Sequence, residues 1–124
     1  MTPAPSVRAL RGATTVDQDT TGQVTARVQE LLTQLMARNG LAEDDVISIL
    51  FTATADVVSM FPATAARGIG FASVPLMCAA EIAVPGATPR CIRVMAHVAT
   101  ERPREELRHV YLHGAQGLRD DLPG

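Results

Sequence analysis

Apolar residues recur at two periods along this chain, and the changes of period mark its elements. Val24, Val28, Leu31, Leu32, Leu35 and Met36 fall at three- and four-residue steps, the spacing of a single helix face. Thr20 with Gln23 makes a capping box at the start, and Asn39-Gly40 supplies the stop. A helix from Thr20 to Asn39 is therefore predicted, laid by one face on something flat. Val46 to Thr52 (VISILFT) is dense in β-branched and bulky side chains and reads as a strand. In Cys91 to Ala99 the alternation is strictest: Ile92, Val94, Ala96 and Val98 make one apolar face, with Cys91, Arg93, Met95 and His97 on the other.

Weaker signals fill the gaps. Val7 to Arg11 reads as a short strand, stopped by Gly12 and a loop at Thr14-Thr15. Phe61-Pro62 opens a short helix ending near Arg67-Gly68, with Pro62 suited to its first turn. Val74 to Val84 reads as extended, with Pro75 near its start, followed by a turn over Pro85 to Pro89. Pro103 to Glu106 starts a short helix, Val110 to Leu112 is strand-like, and Gly114 to Leu118 makes a last turn before an exposed tail. The order β-α-β-α-β-β-α-β implies an α+β fold, a mixed sheet with helices on one face. The other face then needs a cover, and self-association into a homo-oligomer is the simplest one. Residues 1–6, with two prolines, read as a flexible leader, and the 124-residue length suits one domain.

Composition narrows the chemistry. With 47% apolar and 19% charged residues the chain is of ordinary globular make-up. No apolar run approaches the roughly 18 residues of a membrane span, and no secretory pattern opens the chain, so a cytoplasmic protein without a membrane partner is expected. All 11 basic residues are arginine. The absence of lysine excludes Schiff-base catalysis and the phosphate-gripping lysine of a P-loop, whereas arginine keeps its charge and binds carboxylates as a bidentate fork. Thirteen acidic residues against 11 basic ones, and four aromatics, give nucleic-acid binding little support. Cys78 and Cys91 are too few for a disulfide framework, and no His/Cys spacing matches a zinc site, so neither metal nor cofactor is expected. His97, His109 and His113 read as structural or exposed.

Some residues stand out against their own pattern. Arg93 sits inside the best strand and must face an anionic ligand, a carboxylate of the protein or a subunit boundary. Glu81 is the one ionisable group of the extended segment and the natural partner for Arg93. Cys78 lies three positions earlier, so a regular strand would put it on the face opposite Glu81, and both lining one site would need a bulge. Tyr111 is the sole tyrosine.

The opening Val7-Arg8-Ala9-Leu10-Arg11-Gly12-Ala13-Thr14-Thr15 joins these into one pattern. It stands with Phe61-Pro62-Ala63, Arg67, Val74-Pro75-Leu76-Met77-Cys78-Ala79-Ala80-Glu81, Cys91-Ile92-Arg93-Val94-Met95 and Arg108-His109-Val110-Tyr111-Leu112. In this order and spacing, from Val7 to Leu122, the blocks resemble the monofunctional AroH-type chorismate mutases. The resemblance implies a single mutase domain over residues 7–122, with a chorismate mutase-like, ferredoxin-like mixed sheet. It also implies a homotrimer with a pseudo α/β-barrel centre and active sites between subunits. The implied reaction is the rearrangement of chorismate to prephenate on the route to phenylalanine and tyrosine, without metal, nucleophile or cofactor.

Roles follow by resemblance, residue by residue. Arg93 matches the cation beside the ether oxygen, whose charge grows as the C–O bond breaks. Glu81 matches the carboxylate that holds the ring hydroxyl, and Cys78 a polar contact near that hydroxyl. Arg11 matches a ligand of a substrate carboxylate, with Tyr111 beside it. Phe61, Ala63, Leu76, Met77 and Leu118 match the cavity wall, and Arg67 and Arg119 cations at its mouth. This chain departs from some members in carrying Thr64 where they have lysine and Met77 where they have threonine. It is one residue shorter between Arg67 and Val74, and its tail is brief. Two rival readings are weaker. Trimeric imine-hydrolysing proteins share the architecture but lack a counterpart of the Glu81–Arg93 pair. A catalytically silent trimeric protein binding an aromatic-pathway dicarboxylate could dispense with Glu81.

Overall fold

Helix α1 (Thr21–Asn39) forms where its periodicity predicts, and its ends show why. Thr20 stands outside the helix in extended conformation, and its hydroxyl accepts the Gln23 N–H at 3.2 Å. The predicted box is closed differently at its other half: the Gln23 carboxamide oxygen accepts from the N–H groups of Asp17 and Gln18, fastening the preceding loop. Gly40 ends the helix at φ 63, a left-handed cap that a side chain resists. Val24, Val28, Leu31, Leu32 and Leu35 are fully buried, each contributing about 1.5–3 kcal/mol by leaving water. Asn39 does more than precede the stop. Its side chain donates to the carbonyls of Leu35 and Arg108 and accepts from the Arg108 N–H, pinning a segment 69 positions away onto α1.

The computed structural model describes residues 5–118. A five-stranded mixed sheet is built from β1 (Ser6–Thr15), β2 (Val46–Ala53), β3 (Leu76–Ala80), β4 (Cys91–Thr100) and β5 (Val110–Tyr111), in the order β3-β2-β4-β1-β5. Strand β4 is antiparallel to both β1 and β2, while β3 runs parallel to β2 and β5 parallel to β1. Helix α2 (Pro62–Arg67) joins α1 on one side of the sheet, with Pro62 in its first turn. Between helices and sheet lies the core, in which Leu10, Phe51, Ile92, Ala96 and Val98 meet the buried stripe of α1.

Four predicted boundaries are corrected. β1 does not stop at Gly12: it continues through Thr14 and Thr15, ten residues paired in register with β4. The glycine marks a close approach. A Cβ there would meet Val94 Cγ2 at 3.0 Å and Leu31 Cδ1 at 3.2 Å, so its absence lets α1 sit down on the strand. The extended segment Val74 to Val84 is a strand only over Leu76–Ala80, because β2 offers no partner beyond Ala53. The short helix at Pro103 is a single 3₁₀ turn over Arg104–Glu106, and the last strand ends at Tyr111.

Candidate active site

Strand register lays out the uncovered face of the sheet in rows. Tyr111, Ala13, Arg93, Thr52 and Ala79 lie side by side across β5, β1, β4, β2 and β3. In the adjacent row Arg11 stands next to Met95, Leu50 and Met77. Strands about 4.8 Å apart place Arg93 within reach of Thr52 directly and of Arg11 on the diagonal.

Arg93 and Glu81 form the charged centre of this face. The arginine Nε donates to both carboxylate oxygens at 3.2 and 3.1 Å, and its hydrogen bonds to Glu81 use Nε alone. Glu81 lies just past β3, yet its N–H still donates to the Ala53 carbonyl, so the alternation carries its side chain onto the open face. Thr52 donates its hydroxyl to Glu81 Oε2 at 2.7 Å, holding the carboxylate from the second side. The glutamate side chain is only 15% exposed and the arginine 30%, so their attraction is less screened than that of a surface pair. Behind them Cys91 is buried, and burial pushes its thiol above the ordinary range while the Arg93 charge pulls the other way. It stays a neutral thiol. Arg11, Leu50, Thr52, Arg93 and Met95 line a cavity of about 200 Å³.

Beside this centre, Tyr111 and Leu118 pack on Ala13, Cys91 and Ala115. The Tyr111 hydroxyl is buried and has no hydrogen-bond partner among the described residues, which is costly for a phenol. Arg11 is held by its backbone, whose N–H donates to His109 Nδ1 at 2.9 Å, and its guanidinium makes no ion pair among the described residues. A larger cavity, about 400 Å³, lies on the other side of Arg11 among Val7, Ala9, His97, Arg104 and Leu107. It lacks a charge pair, and volume by itself is a poorer guide to chemistry than the held ion pair of Arg93 and Glu81.

The other residues singled out in the sequence gather elsewhere. Phe61, Ala63, Arg67, Leu76, Met77 and Cys78 line a cavity of about 280 Å³ between α2 and the β3 edge. Cys78 is in register with buried Phe51, which puts it on the helix side of the sheet, opposite Glu81. No bulge brings the two together. Phe61 is 71% exposed at the N-cap of α2, an apolar ring turned out of its own chain. Each chain therefore carries two separate patches with no lining residue in common. Arg119 lies outside the described residues.

Comparison with known proteins places the chain in a family. The family described as Chorismate mutase type I matches residues 7–122. The chain belongs to that family. Chorismate mutase AroH of Thermus thermophilus is 45% identical over 94% of this chain and 96% of its own, and that of Bacillus subtilis is 40% identical over 94% and 92%. A solved chorismate mutase from Clostridium thermocellum superimposes with a TM-score of 0.86 at 50% identity, covering 88% of this chain and 97% of the other. The chain is thus a chorismate mutase, an isomerase, with the α+β fold of its relatives.

Two members of this mutase's charged centre were given no role from the sequence. Thr52 is the residue that fixes Glu81, and Cys91 walls the base of Arg93. Thr52 had a faint signal, since Ser48, Leu50 and Thr52 alternate against the buried Ile49 and Phe51. Among the described residues no three histidine, cysteine, aspartate or glutamate side chains gather as a metal site, and no helix is long and apolar enough to cross a membrane.

Proposed function

We propose that this mutase rearranges chorismate to prephenate in clefts shared by neighbouring copies of the chain, three copies forming a cytoplasmic homotrimer in the phenylalanine and tyrosine pathway. The observation that carries the reading is the division of the site residues into two patches. One patch holds Arg11, Glu81, Arg93, Tyr111 and Leu118, and the other holds Phe61, Ala63, Arg67, Leu76, Met77 and Cys78. A compact ligand reaches both if the second patch comes from a neighbour. The uncovered sheet face favours this: Val7, Leu50 and Met77 stand exposed there, an apolar surface suited to burial against another copy.

In the rearrangement one C–O bond breaks while a C–C bond forms within the same molecule, so no proton or external group is transferred. Breaking runs ahead of forming, and negative charge gathers on the ether oxygen. Arg93 meets that charge with the edge of its guanidinium that Glu81 leaves unused, already oriented before reaction. Glu81, fixed by Thr52, receives the ring hydroxyl and faces the electron-poor ring. Arg11 and the orphaned Tyr111 hydroxyl serve one substrate carboxylate, with Arg67 and Arg119 drawing in the dianion. Holding the folded, reactive conformer removes part of the entropic barrier.

The test follows chorismate loss and prephenate formation for wild type, Arg93→Ala and Arg67→Ala. Arg93→Ala is expected to lower kcat about 10²–10³-fold. Mixing the two variants under subunit exchange regenerates intact clefts at about one site in four, raising activity above the sum of the parts. Binding of chorismate by wild type without turnover would instead mark a dicarboxylate-binding protein, and full activity of Arg93→Ala would remove the electrostatic account.

A further inference from the structure

The start of the strand that carries Arg93 is held from outside the sheet. Arg90 sits at φ 48, left-handed backbone that a side chain disfavours and that persists only where neighbours enforce it. Its N–H donates to both oxygens of Asp56, at 3.1 and 3.0 Å. Its carbonyl accepts the Val16 N–H at 3.0 Å, and its Nε donates to the Val16 carbonyl at 3.0 Å. Asp56 also accepts the hydroxyl of Thr54, whose oxygen accepts the Cys91 N–H at 2.9 Å, while the Thr54 N–H donates to the Cys91 carbonyl. Every backbone polar group of Arg90 and Cys91 is tied in this way. The ladder with β1 begins at Cys91 and that with β2 at Ile92, so Arg90 is the residue that leads the chain into the sheet three positions before Arg93.

We propose that Asp56 is a positioning residue for this mutase: by holding Arg90 left-handed it sets the direction in which Arg93 projects toward Glu81 and the reacting oxygen. The inference rests on Arg93 being the ether-oxygen cation. Asp56 is exposed and among the described residues its hydrogen bonds go to Thr54 and Arg90, so its removal leaves the core of Phe51 and Ile92 in place. Its carboxyl is held below the usual range, chiefly by the Thr54 hydroxyl, with partial desolvation opposing it and the Arg90 N–H adding to it. The group is charged at neutral pH and grips accordingly.

Wild type, Asp56→Ala, Asp56→Asn, the double variant Asp56→Ala/Arg90→Gly and Arg93→Ala are compared by steady-state kinetics on chorismate, with circular dichroism reporting the folded fraction. Asp56→Ala is expected to lower kcat about tenfold or more per folded molecule with KM changed less than about threefold, since misdirecting a catalytic group by an ångström costs on this scale. Asp56→Asn keeps an acceptor oxygen and recovers most of kcat. Glycine at 90 enters the left-handed region unaided, so the double variant regains several-fold over Asp56→Ala. Wild-type kcat in Asp56→Ala beside an inactive Arg93→Ala would overturn the inference alone. A loss of kcat explained wholly by unfolded protein would do the same. An active Arg93→Ala would remove the premise instead.

Discussion

Strand β4 shows two faces made by one alternation, and they obey different physics. Ile92, Val94, Ala96 and Val98 are buried against α1, where shape and volume dominate, and a polar neighbour in their register is Thr14 beside Ile92, a buried hydroxyl with no hydrogen-bond partner among the described residues. Arg93, Met95 and His97 look the other way, with Arg93 held by a carboxylate that is itself held by a hydroxyl. The first face is covered within the chain by the stripe of α1. The second face has exposed Leu50 and, among the described residues, a buried phenol without a partner and an arginine without an ion pair, so its groups are arranged for something outside the chain. Stability and chemistry are thereby separated by one residue of register.

The sharpest way to break that contrast is on the packed side. Phe51→Ala removes a ring with no exposed surface, and calorimetry is expected to show a loss of about 3–5 kcal/mol while kcat per folded molecule stays at the wild-type value. If the faces were not independent, kcat would fall with stability. Gly12→Ala is the next largest: its Cβ pushes on Val94 and Leu31 at 3.0 and 3.2 Å, and denaturant melts should register about 1–3 kcal/mol with only a modest change in kcat. The smallest effect lies on neither face. Asp19 accepts the N–H groups of Val58 and Ser59, and these bonds, the Val58 one first, hold its carboxyl below the ordinary range. A folded-state value below the unfolded one, about 3.9, gives stability that is present above that value and lost as pH falls through the folded value. The difference in urea midpoint between wild type and Asp19→Ala should therefore be constant near neutrality and shrink as the pH falls through the folded-state value.

Much of this was readable from neighbouring residues. The stripe of α1 and its Thr20 and Gly40 ends, the two faces of β4 and the pairing of Glu81 with Arg93 all follow from short-range periodicity or from the need to neutralise an arginine in a strand. Gly12 misled, because a glycine in a strand signals either a stop or a close approach, and only Leu31 and Val94 tell which. Cys78 illustrates the opposite limit. The sequence placed it near Glu81 along the chain and warned that regular alternation separates them, and the alternation prevailed.

What the sequence alone determined is therefore local: which segments pair or coil, which side of each turns inward, and the family to which the blocks point. The first two depend on side chains within one or two turns of each other, and the last on the order and spacing of short blocks along the chain. Tertiary structure decided the rest. Thr52 reaches Glu81 across 29 positions, Asp56 reaches Arg90 across 34, and Asn39 reaches Arg108 across 69. Polar groups must find partners wherever the backbone brings them, and that place is set by strand order and register, which no local pattern records.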